Sequence, residues 1–170
     1  MSAPRSSGGS EIALLLDLMD EAYEKAAWHG PNLRGALRGI RAKDAAWRPS
    51  AGRHNIWELA LHAAYWKYAV WRRLTGGGKG QFAADGSNWF VRPESAGPDE
   101  KAWRGDLALL AREHRRLREA VRTFPLERLH ARSAGSKHTN VRMMYGIAAH
   151  DLYHTGQIQM LKRLRVRGDR

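Results

Sequence analysis

Two histidines four residues apart, His150 and His154, have the residue type and spacing of a chemical site. On an α-helix this spacing places both imidazoles on one face. They interrupt a stripe of apolar residues with helical steps, formed by Met143, Ile147, Ile158 and Leu161. We therefore expect both side chains to point inward, where an unsatisfied polar group costs about 1–3 kcal/mol. A divalent metal ion would satisfy two neutral imidazoles at once.

A third histidine, His62, lies on the apolar face of an earlier helical segment. The inward stripe of that segment is Leu59, His62 or Ala63, Trp66 and Val70. Three histidines that leave coordination positions open are a recurrent design of reactive metal sites. The alternative is three hydrogen-bonded core histidines, because a chain with eight histidines can contain a pair four residues apart by chance.

The chain has no cysteine, which excludes disulfides, thiolate ligands and a cysteine nucleophile. A metal ion would then be bound by His, Asp, Glu or water. Imidazole ligands suit zinc, nickel and the other late first-row divalent ions, so the three histidines do not identify the metal. We expect a divalent metal ion and no organic cofactor.

His114 is the residue that could change the coordination number. It shares an apolar stripe with Leu110 and Leu117, and as a fourth ligand it would fill the coordination sphere. Its sequence neighbours Glu113 and Arg115 are charged. We therefore predict instead that His114 is a histidine of a helix interface, at a wet helix edge.

Four further polar residues could contact the site or its substrate. These are Gln157, one turn past His154, and Tyr65, Tyr153 and Asp151. Each has an alternative role as a surface or packing residue, so the catalytic residues are not assigned from the sequence.

Hydrophobic periodicity predicts four long helices and no strand, an all-α fold. The helices are expected at Ser10–Trp28, from the Asn55/Glu58 capping box to Thr75, from Asp99 to the residue before Pro125, and from Thr139 or Asn140 to Arg165. The segment 31–54 is predicted to be mostly connection, with a short helical piece at Leu33–Ile40.

Residues 75–98 contain six glycines and two prolines, which predicts a long loop. About 24 extended residues can travel back along a helix of roughly 28 Å, so the third helix could run parallel to the second. Trp89 and Phe90 are expected to fold this loop over the bundle.

A length of 170 residues suits one domain. We expect a disordered leader at 1–10, the helical domain at 11–165 and a basic tail at 166–170. The leader has no long apolar run, so a soluble cytoplasmic protein without a membrane segment is expected.

The net charge of +12 raises the alternative of a nucleic-acid-associated or non-catalytic metal-binding protein. Its strongest support is the run of arginines at 112, 115, 116 and 118. No stacking platform of exposed aromatic residues accompanies these charges, which argues against nucleic acid as a partner.

Two segments resemble the DinB (YfiT-like) superfamily: the run His54-Asn-Ile-Trp-Glu-Leu-Ala-Leu-His62 and the run His150-Asp-Leu-Tyr-His-Thr-Gly-Gln-Ile158. The run Trp28-His-Gly-Pro-Asn-Leu33 is also similar to one branch of this superfamily. The likeness covers about residues 11–165. It implies an up-down-down-up four-helix bundle, with the crossover between helices 2 and 3, and a three-histidine site that maps onto His62, His150 and His154.

The resemblance implies less about the reaction. Members of known activity include S-transferases for low-molecular-weight thiols, maleylpyruvate isomerases and hydrolases. The expected partner is therefore a small-molecule substrate, and the leading hypothesis is a metal-dependent thiol S-transferase or hydrolase. The resemblance also implies a homodimer, which would bury apolar surface left over on Trp57, Trp66 and Trp71.

Overall fold

The computed structural model describes residues 7–77, 81–93 and 97–168. These residues form six α-helices and one short 3-10 turn, and no strand occurs among them. The helices are α1 (Ser7–Tyr23), α2 (Leu33–Leu37), α3 (Ala42–Ala46), α4 (Ile56–Thr75), α5 (Glu100–Arg122) and α6 (Asn140–Gly168), with the turn at Leu126–Arg128. The predicted all-α fold is confirmed. None of the helices in this part of the chain has the length and apolar composition needed to span a bilayer.

The start of α4 confirms the predicted capping box. The side chain of Asn55 accepts a hydrogen bond of 2.8 Å from the backbone N–H of Glu58, whose carboxylate accepts one of 3.4 Å from the Asn55 N–H. Both bonds are local, which is why the pattern can be read from four consecutive residues. The helix ends at Thr75 and is capped by Gly76, whose φ of 62° lies in the left-handed region.

The first helix differs from its prediction at both ends. It begins at Ser7, so residues 7–10 of the predicted leader are helical, while residues 1–6 lie outside the described part of the chain. It ends at Tyr23, five residues before Trp28. In the turn after the helix, the side chain of Asn32 donates a hydrogen bond of 2.6 Å to the carbonyl of Lys25.

The short helical piece and the last helix also differ from their predicted bounds. The predicted helix Leu33–Ile40 stops at Leu37 and is followed by the separate helix α3. The backbone of α6 continues to Gly168, into the predicted tail. The side chains of that tail, 166–170, lie outside the described residues.

Two apolar clusters fill the interior, and α4 and α6 contribute to both. One cluster contains the first part of α4 together with the buried Trp103 and Ile158. The other contains the end of α4, with Leu74, together with Met19 and Ala148. Along α6 the two histidines fall between Ala148 and Ile158, so this polar pair lies between the two apolar clusters.

The contacts between α4 and α5 join corresponding parts of the two helices. Near the start of α4, the indole of Trp57 donates a hydrogen bond of 2.7 Å to Asp106. Near its end, the guanidinium of Arg116 lies 3.1 Å above the ring of Trp71. The loop between these helices packs on the bundle through Phe90, which is buried, so its predicted fold-over is confirmed.

Asp20 of α1 is buried and ties this helix to α5. Arg118 donates hydrogen bonds of 2.7 and 2.9 Å to its two carboxylate oxygens. Lys25 forms an ion pair of 2.7 Å with the same carboxylate. The hydrogen bonds from Arg118 lower the pKa of Asp20 to about 2, against the opposing effect of burial.

We expect Asp20→Asn to lower the free energy of unfolding at pH 7 by about 1–2 kcal/mol, a figure reduced for the partial exposure of both cations. A carboxylate with a lowered folded-state pKa stabilises the fold above its unfolded pKa of about 4. That contribution disappears as pH falls through about 2, so the difference should shrink in urea unfolding at low pH. Asp17→Asn, an exposed carboxylate on the same helix, is the control. An equal difference at pH 7 and pH 2 would contradict the assignment.

Candidate metal centre

The structure brings the three predicted histidines together. The Nε2 atom of His150 lies 3.1 Å from the Nε2 atoms of both His62 and His154. The ligand atoms of all three lie within 4.8 Å of one another. His62 comes from α4, and the other two come from successive turns of α6. This is the geometry of a group that could hold a metal ion.

Hydrogen bonds on the opposite side of two rings orient them. The Nδ1 of His62 lies 2.7 Å from the backbone carbonyl oxygen of Asn88, and the Nδ1 of His154 lies 2.6 Å from the side-chain oxygen of Gln157. Both oxygens only accept hydrogen bonds, so each Nδ1 carries the hydrogen. The Nε2 atoms of these two histidines therefore direct lone pairs toward the centre, as in protein metal sites.

The donor set fits a divalent ion. Since His62 and His154 both present Nε2 lone pairs, one ring proton on His150 can serve only one of them at 3.1 Å. At least one lone pair therefore faces another nitrogen without a hydrogen between them, and a cation removes this repulsion. Three imidazoles suit late first-row ions such as zinc or nickel, whereas calcium and magnesium prefer oxygen ligands.

The same histidines are neutral near pH 7. Burial lowers the pKa of His62 to about 4 and that of His150 to about 3. Burial also lowers the pKa of His154, against the hydrogen bond with Gln157. Neutral imidazole is the form that binds a metal ion, so protons compete weakly for this site.

The loop between α4 and α5 completes the histidine group through Asn88, which was not identified from the sequence. Asn88 has a φ of 65°, a left-handed conformation that Asn tolerates better than most residues. Its backbone oxygen orients His62, while its side-chain oxygen accepts a hydrogen bond of 2.9 Å from the indole of Trp66. An Asn in a glycine-rich loop is a signal for this conformation, but not for its partners.

Trp89, the next loop residue, lies between two histidine rings. Its ring centroid is 3.6 Å from that of His54 and 3.9 Å from that of His62, with nearly parallel planes. Stacking on both faces fixes the position of the loop against the start of α4. The predicted role of Trp89 in folding the loop over the bundle is confirmed.

The buried carboxylate of Glu58 anchors the same region. Arg48 binds it through both guanidinium nitrogens, one at 2.9 Å. The Nδ1 of His54 lies 3.0 Å from it, and the backbone N–H of Arg92 donates a hydrogen bond of 3.2 Å. Glu58 thus joins the helix start, the loop and the segment after α3, beyond its predicted role as a cap.

Two clefts reach the histidine group from different sides. One, of about 740 Å³, is lined by His154, Gln157, Tyr153, Met160 and Trp89. The other, of about 600 Å³, is lined by His150 and by residues of α4 and α6. His150 is only half-buried, whereas His62 and His154 are buried. Small molecules can therefore approach the three-histidine group from two directions.

The four other polar residues that the sequence suggested as possible contacts of the site differ in their distance from it. Gln157 touches the site through His154 and donates a hydrogen bond of 3.2 Å to the hydroxyl of Tyr153. Asp151 points away from the histidines and forms a buried ion pair with Lys67. Tyr65 packs edge-on against the ring of Phe82. The structure thus links Gln157 directly to a histidine of the site, and Tyr153 through Gln157.

His114 is not part of the three-histidine group. It is fully buried and stacks on Tyr23 of α1 at 3.8 Å between ring centroids. The predicted helix interface is confirmed, but the predicted wet edge is wrong. Neighbouring helical residues point about 100° apart, so the charges beside His114 in the sequence do not surround its ring.

A second group, Asp20, Glu24 and His114, also brings possible ligand atoms within 4.8 Å of one another. Asp20 is already bound by Arg118 and Lys25, and Glu24 forms an ion pair of 2.8 Å with Arg34. These carboxylates are therefore neutralised by cations of the chain, and we interpret this group as an ion-pair network.

Comparison with known protein families finds one relationship. The family model of the DinB superfamily matches residues 26–158, more than three quarters of the chain, and the match includes all three histidines. No curated protein and no solved structure matches the chain.

Proposed function

The chain belongs to the DinB superfamily, and from this premise we propose that it is a metal-dependent enzyme in which His62, His150 and His154 hold one divalent ion, such as zinc or nickel. The observation that supports this most strongly is the convergence of three Nε2 atoms, two of them oriented by hydrogen bonds to their Nδ1. Such an ion would supply Lewis-acid chemistry, lowering the pKa of a bound thiol or water.

The surroundings favour a reactive site over a filled structural one. Three imidazoles are fewer than the four or more ligands that these ions take, and structural sites draw the fourth from the protein. His114, the remaining histidine considered as a ligand, stacks on Tyr23 instead. The clefts beside His150 and His154 leave room for water or a substrate as the further ligand.

Between the two reaction classes, the clefts favour thiol transfer. A transfer needs room for two organic molecules, a low-molecular-weight thiol and its acceptor, whereas a hydrolase needs one molecule and water. Two separate clefts, one lined by His154 and the other by His150, provide that room. Hydrolysis remains the alternative reaction, and no catalytic residue is assigned for either.

The proposal is tested by metal analysis and by thiol binding. Protein purified without a nickel column should contain about one divalent ion per chain. After substitution with cobalt, a small thiol should produce a sulfur-to-metal charge-transfer band and shift the cobalt spectrum, because a coordination position is available.

The His114→Ala variant is the control for coordination number. Its cobalt spectrum should respond to thiol as that of the unchanged protein does, because His114 lies outside the histidine group. A spectrum that responds only after this substitution would show a site filled by four protein ligands and would contradict the proposed reactivity.

We also propose the up-down-down-up arrangement for the four long helices. The parallel contacts of α4 and α5 support it. So does the pairing of His62 with His150 in the middle of α4 and α6. Val70, later in α4, and Met143, earlier in α6, belong to one apolar cluster and line one cleft, as antiparallel helices would place them.

We still propose a homodimer, but the apolar surface that it would bury is not the one expected from the sequence. Trp57 is fully buried, while Trp66 and Trp71 are half-buried and bind Asn88 and Arg116 within the chain. Exposed apolar residues lie instead on α6, at Tyr145, Tyr153, Met160 and Leu164, and also outside α6, for example at Leu14, Trp28 and Val91. A concentration-independent monomer of 19.2 kDa in sedimentation would contradict the dimer.

The nucleic-acid alternative gains no support from the arginines of α5. Arg118 binds the buried Asp20, and Arg116 covers the ring of Trp71. These cations are engaged within the chain, so they are less available for phosphate contacts.

A further inference from the structure

The cleft beside His150 has apolar walls. It lies between the second half of α4, the first half of α6 and the loop before α6. Trp66 and Val70 line it from α4, and Met143 and Ile147 line it from α6. Its volume of about 600 Å³ and these walls suit the apolar part of a small organic molecule.

Three cations line the same cleft: Arg73, Lys137 and Arg142. No carboxylate occurs among the described residues that line it, and in the described part of the chain none of the three cations forms an ion pair. Arg73 is half-buried, and its guanidinium lies 5.9 Å above the ring of Trp66. A concave surface lined by positive charges, with no negative charge beside them, attracts anions and disfavours cationic ligands.

The cations and the candidate metal centre share this cleft. The ring of Trp66 lies 6.2 Å from the ring of His150, which also lines the cleft. Trp66 therefore lies between Arg73 and the histidine group. One molecule in the cleft can contact a cation with one end and approach His150 with the other.

We propose that this cleft binds a small molecule that carries a carboxylate or phosphate group on an apolar chain. Guanidinium groups form paired hydrogen bonds with either anion, and the apolar walls bury the rest of the molecule. This inference rests on the proposed function, for which it names the chemical class of one substrate. The two anionic groups share the same recognition chemistry and are separated by the experiment.

The first measurement compares ligands of equal chain length and different charge. Titration calorimetry of the metal-containing protein with octanoate, octyl phosphate, octanol and octylammonium should show binding of at least one anion. We expect octanol to bind about tenfold or more weakly than that anion and octylammonium to show no binding. The stronger of the two anions identifies the preferred group. Equal binding of octanoate, octyl phosphate and octylammonium would overturn the proposal.

The second measurement removes the cations one at a time. Arg73→Gln and Arg142→Gln should each weaken binding of the preferred anion by about tenfold, because each removes a charge-assisted hydrogen bond. Arg163→Gln makes the same change in an exposed residue of α6 that does not line the cleft, and it should leave the affinity unchanged.

The third measurement blocks the cleft sterically. Gly146 lines it, and a Cβ atom added at this position meets no other atom within 4 Å. Gly146→Leu should therefore fold and should abolish anion binding by occupying the cleft. Gly105→Leu, at an equally open helical glycine of α5, controls for the change in helix propensity.

Metal content measured on the same samples separates this proposal from the proposed function. Anion binding that survives in Arg73→Gln, Arg142→Gln and Gly146→Leu, with the metal retained, would overturn the cleft assignment alone. It would mean that the anion binds elsewhere, for example at the metal ion itself. A chain that contains no metal but still binds anions through Arg73 and Arg142 would contradict the metal assignment and support the cleft.

Discussion

Replacing His150 by Ala should reduce metal binding from about one ion per chain to a small fraction. His150 is the central member of the group, since its Nε2 lies 3.1 Å from both other Nε2 atoms. Loss of an outer-shell partner alone typically costs 10–100-fold in metal affinity. Loss of one of three ligands should cost more than about 100-fold. Equilibrium titration with zinc against a chelating indicator, with circular dichroism to verify folding, measures this effect.

Two further variants make the test specific. His114→Ala removes another buried imidazole and should leave the zinc affinity unchanged, because His114 stacks on Tyr23. Gln157→Ala removes the oxygen 2.6 Å from the Nδ1 of His154 and should have an intermediate effect, about 10–100-fold. Full metal retention in His150→Ala would refute the three-histidine assignment, whatever the other variants show.

Replacing Lys67 by Met should be among the most destabilising single changes in this chain, at about 3–5 kcal/mol. Lys67 and Asp151 are both 1% exposed and form an ion pair between α4 and α6. The Oδ2 of Asp151 accepts the hydrogen bond from Lys67, and its Oδ1 has no hydrogen-bond partner among the described residues. Burial raises the pKa of Asp151, and Lys67 opposes this rise. Without Lys67 the carboxyl group stays buried with no cation to compensate it.

The double variant Lys67→Met with Asp151→Leu separates the cost of an unpaired charge from that of lost packing. Replacing both members of a buried ion pair by apolar residues of similar volume is often neutral, so the double variant should recover most of the stability. Urea unfolding at pH 7 measures both variants, and Lys43→Met, at an exposed lysine, should change stability by less than about 0.5 kcal/mol. A loss of less than about 1 kcal/mol in the free energy of unfolding of the single variant would show that the ion pair contributes little to stability.

Local patterns determined which segments are helical and which of their faces point inward. The Asn55 capping box and the apolar stripes around His62 and His150 were predicted correctly, because caps and helical periodicity involve residues within one or two turns. Each of the three histidines could be predicted to point inward because it replaces an apolar residue on a helical stripe. Even the long loop followed from its glycines and prolines, because these residues disfavour helix and strand directly.

Two predictions from the sequence were wrong, the end of α1 and the solvent exposure of His114. α1 ends at Tyr23 and not at Trp28, and the turn after it contains a hydrogen bond from the side chain of Asn32 to the carbonyl of Lys25. His114 was placed at a wet edge because of its charged sequence neighbours, but packing against Tyr23 buries it. For His114 the tertiary contact outweighs the local signal.

Only the tertiary structure decided how the inward faces meet. His62 contacts His150 across 88 residues, and Lys67 pairs with Asp151 across 84. Asn88 orients His62 from a loop whose path no periodic pattern describes. A hydrophobic stripe specifies that a side chain turns away from water, but the hydrophobic effect has no direction and does not select the partner. The partner is selected by packing, charge and hydrogen bonding among segments that are far apart in the chain.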